Sequence, residues 1–113
     1  MAQGIILVTG GAGFIGSHVC DALMAEGVAV KCFDNFATGR LENIAHLEGR
    51  EGFTLVTGDL RVHAEVLAAV KGVDKVVHLG AMGSVPRSIA DPLASEAANL
   101  TGTMHVLEAC RTH

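Results

Sequence analysis

Apolar residues in this chain fall into short continuous runs separated by longer stretches of helical spacing. Gly4–Thr9 is such a run, closed by Gly10 and Gly11, and has the pattern of a central parallel strand covered on both faces. Over residues 14–26, Ile15, Val19, Ala22 and Leu23 share one helical face, and Gly27 supplies a stop. Val28–Phe33 reads as a second strand ending at Asp34. A polar stretch broken by Gly39 and Gly49 follows, with a short helix predicted around Leu41–Leu47. Phe53–Thr57 is a third strand. Val62, Val66, Leu67 and Val70 predict a helix over 61–71, ended by Gly72, and Asp74–Leu79 is a fourth strand. Gly80, Gly83, Pro86 and Pro92 mark a loop. Leu93, Ala97, Leu100, Met104 and Leu107 then form one apolar stripe along a helix predicted over 92–111.

The order β-α-β-α-β-α-β-α, with short connections, implies a parallel sheet with helices on both faces: an α/β, doubly wound architecture. No repeat or linker interrupts it, so residues 1–113 read as one domain. Half of the residues are apolar, enough for a core, and this excludes a disordered chain. The net charge of −4 argues against nucleic-acid binding by bulk charge. No apolar run approaches the roughly 20 residues that cross a bilayer. The start, Met1-Ala2-Gln3, has no basic segment of a secretory signal, so a cytoplasmic location with no membrane partner is expected. Three cysteines, widely spaced and without a C-x-x-C pair, make a poor disulfide framework and a poor zinc site. They are expected to be buried thiols. The six histidines show no metal-ligand spacing, so no metal is expected.

The chemistry is concentrated in Thr9-Gly10-Gly11-Ala12-Gly13-Phe14-Ile15-Gly16. Gly10, Gly13 and Gly16 sit between the first strand and the first helix, the context that a dinucleotide fingerprint requires. Glycines there allow a tight turn, close approach of backbone to a pyrophosphate, and close helix–strand packing. The first helical turn presents free N–H groups and a positive dipole end to phosphate. Asp34 ends the second strand at about the 20-residue spacing of the acid that accepts hydrogen bonds from a ribose. It would repel the 2′-phosphate of NADP, and no basic residue follows until Arg40, so NAD is the expected cofactor. Asp59, at the end of the third strand, reads either as an adenine-side residue or as a turn and cap residue for the following helix. Leu79-Gly80-Ala81 would let backbone pass close to the middle of a dinucleotide. Asn99 would reach cofactor or face solvent.

These stretches together resemble the extended short-chain dehydrogenase/reductase family, and within it the NAD-dependent nucleotide-sugar epimerases and dehydratases. The matching segments are 8–18 (VTGGAGFIGSH), 33–42 (FDNFATGRLE), 58–61 (GDLR), 76–81 (VVHLGA), 84–92 (SVPRSIADP) and 99–109 (NLTGTMHVLEA). The resemblance implies a Rossmann-like sheet with strand order 3-2-1-4. It implies that Gly10, Gly13, Phe14, Ile15 and Gly16 hold the pyrophosphate. Asp34 and Asn35 would bind the adenosine ribose, with Thr38 and Gly39 closing that side. Asp59 and Leu60 would contact adenine, Leu79, Gly80 and Ala81 would run under the nicotinamide ribose, and Asn99 would sit beside the cofactor. Two positions depart from the family pattern: Val62 stands where an Asp is usual, and Gly80 where an Ala is usual.

The resemblance also implies hydride transfer between bound NAD and a sugar carbon, assisted by a Ser or Thr and by Tyr-x-x-x-Lys. This chain has no tyrosine at all, so no catalytic residue is assigned. Two readings follow. In the first, the chain is the NAD-binding part of a nucleotide-sugar epimerase or dehydratase, truncated before the catalytic residues and the substrate lobe. In the second, it is a stand-alone dinucleotide-binding module, or a subunit that a partner completes. A nucleotide sugar is expected as a ligand only with the rest of the family's fold. A homo-oligomer is expected through the open edge of strand 76–79, the helix 92–111, or both.

Overall fold

Strand β1 (Ile5–Thr9) lies inside a four-stranded parallel sheet, where its alternating side chains enter two different cores. The computed structural model describes residues 4–36, 39–80 and 102–113. Helix α1 (Phe14–Ala25) follows β1, and β2 (Ala29–Asp34) pairs beside it with Val8 opposite Cys32 and Thr9 opposite Phe33. Strand β3 (Phe53–Thr57) pairs with the outer side of β2, and helix α2 (His63–Val70) follows. Strand β4 (Lys75–His78) returns to the other side of β1, with Thr9 opposite His78. Helix α3 (Gly102–Thr112) closes the described chain. The sheet order β3-β2-β1-β4 is the one the resemblance implied.

The two faces of the sheet carry separate cores. Leu7 and Phe33 point to one face and pack with Val66, Ala69 and Val70 of α2 and Val106 and Ala109 of α3. Val8, Val30 and Cys32 point to the other and pack with Cys20 of α1 and with Ile44 and Leu47. This is the period-two alternation of a strand used on both sides, and it makes the sheet doubly wound. Lys31 shares the α2 face. Its ammonium group reaches the Ala69 carbonyl at 3.0 Å, in the last turn of α2, where the helix dipole favours a cation.

Five details differ from the sequence pattern. The fully buried face of α1 is Gly16, Ser17 and Cys20; of the predicted stripe Val19 and Leu23 pack against the core, while Ile15 is 66% exposed and Ala22 is also exposed. The helix sits so close to the β1 turn that its small residues face the sheet. The segment 41–47 forms two 3₁₀ turns, Leu41–Asn43 and Ala45–Leu47, which drive Ile44 and Leu47 into the core without a continuous helix. Helix α2 begins at His63, and Val62 is its exposed N-cap. On α3 the sheet-facing residues are Gly102, Val106 and Ala109, whereas Met104 and Leu107 are 58% and 61% exposed. The stripe containing Met104 and Leu107 therefore lies on another face of the helix. Its residues Leu93, Ala97 and Leu100 fall outside the described residues. Among the cysteines, Cys20 and Cys32 are buried as expected, but Cys110 is exposed.

Candidate functional site

In a sheet of this order the connections leave β1 in opposite directions, and the carboxyl ends of β1 and β4 flank the switch point where ligands bind in doubly wound folds. Two glycine turns meet there. Gly10 has φ +70°, a left-handed conformation that side chains rarely adopt, and a Cβ on it would lie 2.8 Å from the backbone nitrogen of Gly80. Gly16, in the first turn of α1, packs directly on the Gly10 carbonyl. Any Cβ at Gly16 would collide with that oxygen. These two contacts press the start of α1 against the end of β1.

The N-terminus of α1 is consequently open. Gly13 is its N-cap, makes no side-chain capping bond, and the first turn contains no acid. The first intrahelical bond runs from the Ser17 N–H to the Gly13 carbonyl, so the N–H groups of Phe14, Ile15 and Gly16 have no partner among the described residues. The Phe14 side chain is 77% exposed and stacks edge-on with His18, with ring centroids 4.7 Å apart.

Asp34 ends β2 on the same edge and is buried. One carboxylate oxygen accepts the Phe36 N–H at 2.7 Å and the other accepts the Ala12 N–H at 3.0 Å. Asp34 thus ties the glycine turn to β2, and each oxygen accepts one of these bonds and keeps a further lone pair among the described residues. Gly39 packs against the same carboxylate: a Cβ there would lie 2.8 Å from it. The Ala12 carbonyl is held in turn by the Arg40 N–H at 3.1 Å and the Asn43 side-chain amide at 2.8 Å. Asn43 was not singled out in the sequence. Its link to Ala12 crosses 31 positions, which no local pattern reveals.

Asp59 lies at the end of β3 and forms a turn rather than a helix cap. Its carboxylate accepts the Arg61 N–H at 2.9 Å and the Arg61 guanidinium, with the shortest contact at 2.6 Å. That guanidinium holds the Asp59 carboxyl down at about 2, and the Asn35 side chain also donates a hydrogen bond to it. Asn35 and Asp59 are therefore joined directly. Glu65 accepts the Asp59 N–H at 2.8 Å, and His105 Nδ1 lies 2.6 Å from the Leu60 carbonyl. Leu60 is thereby tied to α3.

The β4 side is organised by a group the sequence pattern gave no reason to choose. Thr9 Oγ1 accepts the N–H groups of Leu79 at 3.0 Å and Gly80 at 3.1 Å. With both lone pairs engaged, its proton is left for His78 Nδ1 at 2.6 Å. His78 Nε2–H then donates to Thr103 Oγ1 at 2.9 Å. This chain sets one neutral tautomer of His78, and burial pushes its pKa below the ordinary value. The result is a fixed Leu79–Gly80 backbone lying against Gly10.

Of the residues singled out in the sequence, the structure brings Gly10, Gly13, Phe14, Ile15, Gly16, Asp34, Asn35, Gly39, Asp59, Leu60, Leu79 and Gly80 to the carboxyl edge of the sheet. Thr38, Ala81 and Asn99 lie outside the described residues. The shape fits a dinucleotide. A phosphate at α1 would meet free N–H donors and no Cβ at the closest approach, and Asp34 would offer acceptor capacity to a ribose.

A doubly wound parallel sheet with a glycine turn at the first β–α junction and an acid at the end of the second strand defines the Rossmann-type dinucleotide fold. The GDP-mannose 4,6 dehydratase family model matches residues 7–113, and the chain belongs to this family. The chain is 40% identical over 107 residues to UDP-glucose 4-epimerase of Mycolicibacterium smegmatis, which covers 93% of this chain and 34% of that protein. It is also 40% identical over 102 residues to UDP-glucuronic acid decarboxylase 1 of Danio rerio, covering 90% of this chain and 23% of that one. Among solved structures, UDP-glucose 4-epimerase of Thermus thermophilus in complex with NAD superposes with a TM-score of 0.84 at 41% identity, covering 96% of this chain and 34% of that one. The dTDP-glucose 4,6-dehydratase DesIV of Streptomyces venezuelae, with NAD and TYD bound, gives 0.86 at 34% identity, covering 94% and 35%. The chain spans about a third or less of the length of these relatives.

Proposed function

We propose that this chain is the NAD-binding portion of a nucleotide-sugar epimerase or dehydratase. The observation that carries the reading is the uncapped, acid-free N-terminus of α1, pressed onto the Gly10 turn beside the buried Asp34 carboxylate. Similarity to an epimerase and a dehydratase solved with NAD supports it. In this reading the N–H groups of Phe14, Ile15 and Gly16 bind the pyrophosphate. Asp34 accepts from the adenosine ribose through its remaining lone pairs and, by charge, rejects a 2′-phosphate. Asn35 and Gly39 shape the adenosine side, where Thr38 is also assigned. The Asp59–Arg61 turn sets the Leu60 backbone toward adenine. Leu79 and Gly80, fixed by Thr9, form the floor under the second ribose, with Ala81 and Asn99 assigned to the same end.

Bound NAD supplies a hydride acceptor and donor at a sugar carbon. The 113 residues contain no tyrosine, so they have no phenol to take the sugar hydroxyl proton. The chain alone is expected to bind cofactor and to leave a nucleotide sugar unchanged. The exposed Met104 and Leu107 and the single pairing of β4 among the described residues support self-association of the chain. A clean monomer in light scattering at high concentration would contradict that.

The test is a calorimetric titration of the chain with NAD and with NADP, repeated with Asp34→Ala. The expected result is binding of NAD over NADP, with the preference lost in the variant. Because Asp34 also anchors Ala12, the NAD-to-NADP ratio is the decisive readout: loosening the loop weakens both cofactors, whereas loss of charge discrimination changes their ratio. Equal binding of both by the unaltered chain, or binding of neither, would refute the reading.

A further inference from the structure

Cys20 of α1 and Cys32 of β2 come together directly beneath the glycine turn. Both side chains are fully buried. A Cβ built on Gly11 would lie 2.5 Å from Cys32 Sγ and 3.3 Å from Cys20 Sγ, so the two sulfurs crowd the same point under the turn. The two thiols influence each other's ionisation, the Cys32 thiol lowering the Cys20 pKa and Cys20 raising that of Cys32. Cys20 in turn donates to the Gly11 carbonyl at 3.8 Å. The thiol pair is thus tied to the backbone of the turn through Cys20. The widely spaced cysteines gave no hint of this, because helix α1 and its crossover bring together positions far outside any C-x-x-C spacing.

We propose that Cys20 and Cys32 are a buried oxidation site that closes to a disulfide under a peroxide and loosens the glycine turn above it. The neighbouring Cys32 thiol lowers the Cys20 pKa, and Cys20 together with burial pushes the Cys32 thiol up, so Cys20 is the easier to ionise. The Cys20 thiolate attacks one oxygen of hydrogen peroxide. This breaks the O–O bond and gives a sulfenic acid, and the departing hydroxide takes up the thiol proton as water. Cys32 sulfur then attacks the sulfenic sulfur. The S–S bond forms, the S–O bond breaks, and the hydroxyl leaves with the Cys32 proton as a second water. Two thiols and one peroxide give one disulfide and two waters. The S–S separation contracts to about 2 Å, and the S–H donor to the Gly11 carbonyl is lost. The turn then lacks that hydrogen bond, and the two sulfurs beneath it are drawn together from the positions that now support it.

Oxidant reaches the pair when the α1–β2 layer opens, so the exposed Cys110 reacts first. The proposal concerns the turn itself and stands whether or not NAD is the ligand. The test treats the reduced native chain with hydrogen peroxide, blocks remaining thiols, digests with trypsin and maps the peptides by mass spectrometry. The sequence places Cys20 in the tryptic peptide 1–31 and Cys32 in 32–40. The expected product is a cross-link between these two peptides, lost on treatment with dithiothreitol and also formed by a Cys110→Ser chain. Amide exchange over residues 10–17 is expected to speed several-fold in the cross-linked protein. Separate over-oxidation of Cys20 or Cys32 without the cross-link, or both thiols intact after Cys110 is fully oxidised, would overturn the site. A cross-linked chain with unchanged exchange over residues 10–17 would overturn its action on the turn.

Discussion

On its β1–β2 side the site is shaped by backbone, while on its β4–α3 side it is shaped by hydroxyl and imidazole groups. Gly10 and Gly16 meet main chain to main chain, and Asp34 binds two backbone N–H groups. Across the sheet, Thr9, His78 and Thr103 form a side-chain relay between β1, β4 and α3. The first wall depends on the absence of atoms, so it tolerates almost no added side chain. The second depends on protons in particular places, so it is exposed to pH. The difference also separates what each wall can do: the glycine side leaves donors free for a phosphate, whereas the histidine side uses up its donors to hold Leu79 and Gly80.

The largest effect should come from filling the first wall. Gly16→Ala puts a Cβ into the Gly10 carbonyl and is expected to cost about 1–3 kcal/mol in the urea unfolding midpoint, or to prevent folding. Gly13→Ala serves as the internal comparison. Its Cβ would sit 3.3 Å from the same oxygen, and it should cost clearly less. Equal costs would show that the close approach is not what makes Gly16 necessary.

On the second wall, Thr9→Val removes the acceptor for Leu79 and Gly80 and the donor to His78. A loss of about 1–3 kcal/mol is expected from the polar groups left unpaired, with Thr9→Ser retaining most of the stability. A Thr9→Val chain as stable as the unaltered one, with Thr9→Ser the weaker, would indicate that the methyl group, not the relay, matters.

The same wall predicts a pH limb. His78 has a folded-state pKa below its ordinary 6.5, so the unfolded chain binds more protons as pH falls through that value. Its contribution is fully present above pH 6.5 and is lost below it, at no more than about 1.4 kcal/mol per pH unit for one group. Urea midpoints of the chain and of His78→Gln, measured across this window, should converge as the pH falls. Parallel curves would contradict the relay.

The smallest effect lies away from both walls. Val62 caps α2 without a side-chain bond, and the backbone there is extended. Val62→Asp restores the residue usual in the family and should stabilise by about 0.5–2 kcal/mol in thermal unfolding. It should leave cofactor preference unchanged.

Much of the backbone-built wall was legible in the sequence because its signals are local. A strand ending in glycines, a helix starting at Phe14 and an acid at the end of the next strand can all be read within one β-α-β unit. The side-chain wall was not legible, because Thr9 and His78 are 69 residues apart and meet only through the parallel pairing of β1 with β4. Periodicity was right for Val19 and Leu23, which pack against the core, but not for every member of the stripes it picked. Ile15, Met104 and Leu107 are apolar and evenly spaced, yet exposed, because α1 and α3 approach the sheet through Gly16, Ser17 and Cys20 and through Gly102, Val106 and Ala109. Small residues allow the closest packing there and leave Ile15, Met104 and Leu107 outside.

The most direct test of the account is amide hydrogen exchange of the chain with and without NAD. Slower exchange is predicted at residues 13–17 and 34–36, where free N–H donors and the Asp34 carboxylate would meet pyrophosphate and ribose, with little change in α2. Unchanged exchange across the glycine turn at saturating NAD, or protection confined to other parts of the chain, would contradict it.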